Sequence, residues 1–327
     1  MQSSISRRSV LAATSAAACL GLVPGLARAQ AKKLLIGTTS SSSSSYTYFV
    51  AVSQLLNKKV PSIETSVVET GATLDNLRRM VRKQIDFGIV TTNIIHHANA
   101  GTGDFAGKPD HSRLLWIYSI APQNVVVRKD AGIDSLVALN GKKFNTGLKG
   151  SGTEKTADAV FALLGIKPDV VRGSTGEIVD AVKDNRAVGY IKSGVGLKLD
   201  ASTREVATFT PIRMLGLTAE QQTKIDKAMP ELSMITVPAD PALGLAAYTT
   251  WGFGVGAAAT TDMDEDTAYK IVKAVCEDKA MQAAAFADVV GVDLAELTVK
   301  YAASPLHPGA IRYFKERGLT IPARLMG

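Results

Sequence analysis

The sequence is poor in the residues from which metal and redox sites are most often built. It has two cysteines and four histidines among 327 residues. Only Cys276 lies beyond the first 31 residues, so the rest of the chain cannot form an internal disulfide bond. His96 and His97 are adjacent, and on a helix their side chains point about 100° apart, which makes a shared metal ion difficult. We therefore expect no metal site.

Sequence motifs of catalysis are also missing. The chain has no G-x-S-x-G elbow, no H-E-x-x-H motif and no phosphate loop that ends in Gly-Lys-Ser/Thr. The alternating glycines of Gly252–Gly256 do not begin a strand–helix–strand unit, so they do not indicate a dinucleotide site. Cys276 lies in a helical apolar pattern and is predicted to belong to the core. We expect no enzyme activity, no catalytic residue and no cofactor.

Strong charge and long apolar runs are absent beyond the N-terminus. The formal net charge is +7, and the three arginines among residues 1–31 reduce it to about +4 for the remainder. This mild excess is spread along the chain and does not indicate a nucleic-acid partner. No later apolar run reaches the roughly 20 residues of a membrane-spanning helix. We expect a soluble protein that works as a monomer.

The N-terminus has the features of a cleaved export signal. Two arginines in Ser6–Leu11 precede an apolar stretch over Val10–Leu26, and a small-residue site follows at Ala27–Ala29. The paired arginines are typical of twin-arginine export, although a general secretory signal has the same overall pattern. Both routes predict a periplasmic protein that is cleaved near Ala29.

Strands and helices alternate along the rest of the chain. This pattern is typical of mainly parallel sheets flanked by helices, an α/β fold. Asn93 is predicted as the N-cap of a helix that runs through Ala98. In the first half we predict strands over Leu34–Gly37, Ile63–Glu69 and Phe87–Val90, with helices over Tyr46–Asn57 and Leu74–Gln84. In the second half we predict strands over Lys142–Thr146, Val170–Val171 and Val188–Ile191, with helices over Glu154–Leu164, Ile178–Lys183, Glu265–Cys276 and Met281–Val289.

Two extended segments are predicted to cross between two lobes. Leu114–Val127 is a long apolar stretch interrupted by Pro122, and Ala247–Gly256 alternates glycine with large apolar residues. Two crossings return the chain to its first lobe. The predicted divisions are residues 1–29 for the signal peptide, 30–121 for the first part of lobe I, 122–251 for lobe II and 252–327 for the return segment of lobe I.

Three predicted strand-to-helix junctions are rich in small and hydroxylated residues. Because the N-terminus of a helix presents unpaired N–H groups and partial positive charge, such junctions suit a small anion. One junction contains six consecutive serines, Ser40–Ser45. This tract could also be a flexible linker, but it lies between a strand and a helix of one lobe, which favours a binding loop. The candidate ligand-binding residues from these junctions are Thr39, Ser40, Ser42, Ser43, Tyr46, Thr91, Thr92, Asn93, Ser151, Gly152 and Thr153.

Two lysines complete the candidate site. Lys149 directly precedes the Gly150–Thr153 turn, and Lys192 follows a predicted strand. Each could pair with a carboxylate, and each could equally be an ordinary solvated lysine. The turn could likewise be structural, with Thr153 as the helix N-cap.

Several short motifs, in order and spacing, resemble the TAXI family of TRAP-transporter solute-binding proteins. They are Ile36-Gly37-Thr38, Leu55-Leu56-Asn57, Thr70–Leu77, Val126–Asp130, Gly150–Glu154 and Pro305–Tyr313. The resemblance implies a two-lobed periplasmic binding fold (type II, Venus-flytrap) with two hinge strands. It also implies delivery of a glutamate-like amino acid or a dicarboxylate to the TRAP membrane permease.

The resemblance places family positions on residues of this chain, with departures. By position, the second family tyrosine is Tyr46, Ser45 replaces the first, and the loop glycines are replaced by Thr39, Ser40, Ser42 and Ser43. The family's prolines before the Gly-Ser-Gly-Thr turn are absent. Serine adds hydroxyl donors and bulk where glycine leaves room, so a smaller or more polar ligand is compatible with this loop. Two other functions stay open: a ligand-binding component of a periplasmic sensor, and an exported α/β enzyme.

Overall fold

The computed structural model describes residues 31–39, 41, 43–278 and 280–327. The export signal and two of the candidate residues, Ser40 and Ser42, lie outside these ranges. Within them the elements alternate in the predicted α/β order. The first elements are β1 (Lys32–Gly37), α1 (Ser44–Lys59), β2 (Ile63–Val68), α2 (Thr73–Val81), β3 (Phe87–Thr91) and α3 (Thr92–Ala100).

The second half of the chain repeats this alternation and then ends in a series of helices. The middle elements are β4 (Ser112–Arg128), β5 (Lys143–Asn145), α4 (Gly152–Leu164), β6 (Asp169–Val170), α5 (Thr175–Lys183), β7 (Gly189–Ser193), α6 (Ala201–Phe209), β8 (Ile212–Leu215), α7 (Ala219–Ala228), β9 (Ser233–Val237) and β10 (Tyr248–Thr260). The last helices are α8 (Glu265–Glu277), α9 (Met281–Ala285), α10 (Leu294–Tyr301) and α11 (Pro308–Glu316).

The strands form one continuous path in the order β2-β1-β3-β10-β4-β7-β5-β6, with β8 on β4 and β9 on β10. β1, β2 and β3 pair in parallel, as do β5, β6 and β7. The two long central strands run antiparallel to each other, and β10 pairs antiparallel with β3 while β4 pairs antiparallel with β7. Each parallel group is therefore a small α/β sheet, and β4 and β10 connect the two.

Separate hydrophobic cores lie on the two sides of this connection. The first core joins residues 34–118 to residues 257–325. A second core, from Ala121 to Phe253, is accompanied by a smaller cluster from Val126 to Leu245 on the other side of the sheet. We call the part around the first core lobe I and the part around the other two lobe II. The exact boundaries after residues 121 and 251 stay a prediction.

The crossing strands contribute to both lobes. On β4, Trp116 is buried in the core of lobe I, while Val125 is buried in the core of lobe II. β10 runs so close to β4 that a Cβ on Gly256 would lie 2.2 Å from the carbonyl oxygen of Trp116. The glycine alternation of this segment therefore serves strand packing, because the partner backbone occupies the space of a side chain.

Two predicted helices end earlier than expected. α2 stops at Val81 instead of Gln84, since Lys83 has a φ of 56°. The segment predicted as one helix over Met281–Val289 breaks at Phe286, whose extended backbone separates α9 from a 3₁₀ turn over Ala287–Val289. No helix in the described ranges is both long and apolar enough to cross a membrane.

Candidate functional site

A cleft with a volume of about 220 Å³ lies between the two lobes, beside the crossing strands. Residues of both lobes form its walls, among them Ser119 of lobe I and Gly194 of lobe II. Strand ends of both parallel groups meet here. The carboxyl ends of parallel strands, where a helix begins, are the usual place for ligands in α/β folds.

Four helices direct their N-termini at this cleft. The wall residues at these helix starts are Ser43, Ser44 and Ser45 of α1, Ala72 and Thr73 of α2, Thr91 of α3, and Ser151, Gly152 and Thr153 of α4. The first N–H groups of each helix have no intrahelical acceptor, and each N-terminus carries a partial positive charge. The cleft is therefore favourable for an anion.

The four N-termini differ in how their N–H groups are capped. The hydroxyl of Ser43 accepts from the Tyr46 N–H at 3.2 Å, and that of Ser151 accepts from the Glu154 N–H at 3.1 Å. The N-cap residues of α2 and α3, Ala72 and Thr91, make no side-chain capping bond. More N–H groups are thus available to a ligand at α2 and α3 than at α1 and α4.

The backbone at the start of α2 is strained. Ala72 has φ 67° and ψ −154°, a combination that is easily reached only by glycine. A residue with a Cβ in this region costs about 1–3 kcal/mol, and such strain is concentrated at binding and active sites. Ala72 and the first residue of α2, Thr73, both line the cleft.

The lobes touch at Thr91 and Gly152. A Cβ on Gly152 would lie 2.9 Å from Oγ1 of Thr91 and 3.6 Å from the ring of Phe253. The Thr91 hydroxyl is buried and has no hydrogen-bond partner among the described residues. Glycine at position 152 therefore allows the start of α4 to approach the end of β3. The Thr91 hydroxyl lies at this contact between the lobes.

The charged side chains of the described cleft wall are Lys192 on β7 and Asp200. The carboxylate of Asp200 accepts from the Ser202 N–H at 2.9 Å and so caps α6. Next to Lys192, the Ser193 hydroxyl lies 2.7 Å from that of Thr153, at the start of α4. Lys192 thus places a positive charge close to the helix N-terminus of lobe II.

Aromatic rings form the apolar part of the wall. Tyr118 stacks on Tyr48 with ring centroids 3.9 Å apart, and its hydroxyl donates to Ser45 at 2.9 Å. Burial raises the pKa of Tyr118 above its usual value, so the hydroxyl stays neutral. Phe253 and Phe286 line the cleft from the two lobes. A ligand here meets N–H groups and hydroxyls at one side and rings at another.

Most of the predicted site residues meet in this cleft. Thr39 and Ser43 contribute from lobe I, together with Thr91 at the end of β3. Lys192 contributes from lobe II. The structure also brings the start of α4 into the wall, through Ser151, Gly152 and Thr153.

Other predicted residues lie elsewhere. Lys149 is exposed on the loop before α4, and Tyr46 is half-buried on α1, and neither belongs to the cleft wall. The Thr92 hydroxyl accepts from the Gly254 N–H at 2.9 Å, so it fixes β10 against α3. Ser40 and Ser42 are outside the described residues, and their place stays a prediction.

Asn93 is not an N-cap, and that prediction was wrong. β3 continues to Thr91, which takes the N-cap position, so Asn93 lies inside the first turn of α3. Its amide donates to the hydroxyl of Thr156 on α4. Asn93 therefore joins lobe I to lobe II next to the cleft. The alternative N-cap for α4, Thr153, is also replaced, by Ser151.

Sequence reasoning missed several wall residues. Ala72 and Thr73 carry no polar pattern that indicates a site, because the useful groups are their backbone N–H donors. Tyr118 and Phe253 lie on the crossing strands, far from the loops in sequence. Ser193 follows Lys192 directly, and its position at a strand end could have identified it.

An ion pair also bridges the lobes near α3. Nε2 of His97 lies 3.2 Å from Oε1 of Glu231, and its Nδ1 lies 2.9 Å from the Thr102 hydroxyl. The hydrogen bond to Glu231 raises the pKa of His97 although partial burial opposes it. Burial favours a higher pKa for Glu231, but the bond to His97, a backbone hydrogen bond and the histidine charges together outweigh it and lower that pKa.

His307 and His96 have structural roles. His307 is buried, its Nδ1 accepts from the Gly309 N–H at 3.2 Å, and its Nε2 lies 3.1 Å from the carbonyl oxygen of Met263. His96 bonds the carbonyl oxygen of Ala303 at 2.9 Å. No group of three or more His, Cys, Asp or Glu side chains suited to a metal ion occurs in the described ranges. Cys276 is buried in the core, as predicted.

Comparison with solved structures identifies the same fold in other proteins. XAC2383 from Xanthomonas citri, in a structure bound to ATP, matches with a TM-score of 0.53 and 13% identity over 88% of this chain and 95% of that one. A TctC solute-binding protein from Polaromonas, without ligand, matches with a TM-score of 0.51 and 14% identity over 89% of this chain and 99% of that one. The periplasmic aliphatic sulphonate binding protein SsuA from Escherichia coli has a TM-score of 0.47 and 14% identity over 87% and 83% of the two chains.

These likenesses show the fold, an α/β architecture of the type II periplasmic binding proteins, with two lobes and two crossing strands. At the level of sequence, the NMT1-like family matches residues 36–318, which is most of the chain. The protein therefore belongs to the NMT1-like family.

Proposed function

We propose that the protein is an extracytoplasmic solute-binding protein that captures a small carboxylate and performs no chemistry on it. One observation carries the proposal: four helix N-termini from two lobes meet in one cleft with Lys192. A carboxylate can accept several backbone N–H bonds there while the helix dipoles and the lysine offset its charge. The ligand is held between the lobes, as expected for a binding fold that closes around it.

The partial charges favour an anion over a cation or a neutral solute. Each helix N-terminus contributes roughly half an elementary charge. The opposing Asp200 is already used as the cap of α6. XAC2383, which shares the fold, has been captured with chloride and with ATP, both anions. These two structures share 14% and 13% sequence identity with this chain, and they support the proposal that a protein of this fold can bind an anion.

We infer binding without catalysis from the make-up of the walls. In their described part the polar side chains are hydroxyls, one lysine and one aspartate, with no histidine or cysteine. A hydroxyl becomes a nucleophile when a general base lies next to it. The closest hydroxyl pair, Thr153 and Ser193, bonds to itself and to Gln123 instead.

We further propose that the captured solute is delivered to a TRAP-type membrane permease, as in the TAXI family. Two of the motifs that carry this resemblance, Thr70–Leu77 and Gly150–Glu154, include helix starts at the cleft. The paired arginines before Ala29 support export to the periplasm and removal of the signal there. The protein would act there as a monomer.

A thermal-shift screen tests carboxylate capture. The purified protein is heated with amino acids, 2-oxo acids and dicarboxylates, each in large excess. A ligand at 100 times its Kd adds about 2.7 kcal/mol to the free energy of unfolding, which raises Tm by several degrees. Stabilisation by another class of compound and by no carboxylate would contradict the proposal.

A matched pair of lysine variants locates the binding site. Lys192→Met removes the cation of the cleft, and we expect roughly tenfold to a hundredfold weaker carboxylate binding from the loss of a charge-assisted bond. Lys149→Met removes an exposed lysine outside the cleft wall and should leave the affinity unchanged. Equal effects of the two variants would show that the ligand binds elsewhere.

A further inference from the structure

A side pocket opens from the cleft into lobe II. It has a volume of about 130 Å³ and shares Ser151, Thr153, Lys192 and Ser193 with the cleft wall. The shared residues belong to the start of α4 and the end of β7, where the proposed carboxylate would bind. A ligand held there by its carboxylate can therefore extend into the side pocket.

The far walls of this pocket are apolar and fixed in place. Ile178 and Val179 of α5 and Ile191 of β7 line it, and all three are buried in the cores of lobe II. Leu148 forms part of the same wall, yet half of its surface is exposed. An apolar group in the pocket would cover this side chain, and burial of apolar surface stabilises a complex.

Polar atoms around the pocket already have partners within the protein. The hydroxyl of Tyr190 donates to Thr203 at 3.1 Å, and the amide of Asn145 donates to the carbonyl oxygen of Val171 at 2.8 Å. The N-terminus of α5 is closed by a capping box in which Glu177 accepts from the Ser174 N–H at 2.7 Å. The carboxylate of Glu177 therefore already occupies the start of α5, where a carboxylate of the ligand could otherwise bind.

A second carboxylate on the ligand would find no second counter-charge in the described walls. Lys192 is the one cationic side chain in the described walls of both the cleft and the pocket, so these walls offer a ligand at most one cationic partner. Burial of an unpaired carboxylate against isoleucine and valine is strongly unfavourable. An apolar cavity of about 150 Å³ can accommodate benzene, so this pocket suits a group of roughly four to six carbon atoms.

We propose that the ligand is a monocarboxylate whose other end is a compact apolar group seated between α5 and β7. The inference rests on the proposed carboxylate capture and narrows its substrate class. We expect such monocarboxylates to bind more tightly than dicarboxylates, and more tightly than short acids that do not reach the side pocket.

Titration calorimetry with a series of 2-oxo acids tests the inference. The series is pyruvate, 2-oxobutanoate, 3-methyl-2-oxobutanoate, 4-methyl-2-oxopentanoate and the dicarboxylate 2-oxoglutarate. Each buried methylene is worth about a fourfold gain, so we expect 4-methyl-2-oxopentanoate to bind roughly fiftyfold more tightly than pyruvate. We also expect it to bind more tightly than 2-oxoglutarate.

A variant pair tests the location of the apolar group. Leu148→Ala shortens a half-exposed wall residue, which leaves folding intact, and should weaken 4-methyl-2-oxopentanoate about tenfold with pyruvate almost unchanged. Val137→Ala shortens an exposed apolar residue outside both walls and should change neither affinity.

The outcomes distinguish this inference from the function on which it rests. If 2-oxoglutarate binds as tightly as 4-methyl-2-oxopentanoate, or if Leu148→Ala weakens pyruvate equally, the apolar pocket is overturned while carboxylate capture stands. If no acid of the series binds, carboxylate capture fails and the inference fails with it.

Discussion

Gly152→Ala should weaken ligand binding by preventing the lobes from meeting. The added Cβ would lie 2.9 Å from Oγ1 and 3.4 Å from Cγ2 of Thr91. Because threonine is branched at Cβ, its χ1 rotamer is restricted, and a rotation that takes Oγ1 out of the contact has its own cost. Where Thr91 keeps its rotamer, the start of α4 must move away from the end of β3, which opens the cleft.

The size of the effect follows from the cost of overpacking. Extra atoms in a packed contact cost about 1–3 kcal/mol. The penalty exists only while the lobes are closed, and the ligand binds between the closed lobes. A cost of 1–2 kcal/mol corresponds to roughly a fivefold to thirtyfold loss of affinity. Alanine also favours helices more than glycine, so the open protein should not lose stability.

Titration calorimetry of Gly152→Ala with the tightest-binding carboxylate measures this loss. The matched control is Gly176→Ala in the first turn of α5, where a Cβ would meet nothing within 4 Å, so affinity should be unchanged. Thr91→Ser added to Gly152→Ala removes Cγ2 and should restore part of the affinity. An affinity of Gly152→Ala equal to that of the wild type would refute the closure mechanism. If Thr91→Ser restores no affinity, the methyl group added at position 152 blocks the ligand directly.

Three further changes test other parts of the structure. Ala72→Gly should raise the thermal stability, because relief of about 1–3 kcal/mol of backbone strain exceeds the entropic cost of glycine, and calorimetry showing a lower Tm would contradict the strain. His307→Ala should lower the free energy of unfolding by about 2 kcal/mol through loss of a cap and of a buried hydrogen bond, while the exposed His111→Ala should have no effect in urea titrations. The raised pKa of His97 means that its bond to Glu231 contributes fully below the ordinary histidine value and is lost as the pH rises through the raised value. Because this pair bridges the lobes, ligand affinity should fall as the pH rises above the ordinary histidine value, and a fall of the same size in His97→Gln would exclude this pair as the cause.

Burial gives His307 the opposite pH dependence from His97. It lowers the pKa of His307, which holds a neutral ring with Nδ1 as acceptor for the Gly309 N–H. The contribution of a histidine with a lowered pKa is present above its unfolded value and is lost as the pH falls through the folded value. The two histidines thus act in different pH ranges and on different elements.

The sequence was sufficient to predict the α/β alternation because each parallel strand has a local signature. Ile36 and Phe87 lie in short apolar runs followed by small or hydroxylated residues, and both form strands that end at the cleft. The long apolar stretch around Trp116 was identified as a crossing for the same reason. These signals depend only on neighbours in sequence.

Helix caps could not be predicted as well, because strand pairing decides where a helix begins. Thr91, Thr92 and Asn93 are all competent N-caps. Pairing of Thr91 with Val255 of β10 extends β3 by one residue and gives the cap to Thr91. That partner strand is more than 150 residues away in sequence, so no local pattern records it.

The binding groups of the cleft were the least visible in the sequence. Backbone N–H donors at Ala72 depend on position and not on residue type. Two tyrosines show that side chains were equally hard to predict. Tyr46 was predicted to bind the ligand but lies on a part of α1 outside the wall, whereas Tyr118 lies in the wall on the crossing strand β4. Residue type led to the prediction of a small anionic ligand, but it gave no information on which residues form the cleft walls.

One pair of compounds shows whether the cleft requires a negative charge on its ligand. Titration calorimetry compares the tightest-binding 2-oxo acid with its methyl ester, which has the same carbon skeleton and no charge. The helix N-termini and Lys192 predict binding of the acid and at least a tenfold weaker affinity for the ester. Equal affinity of acid and ester would contradict an anion-binding cleft.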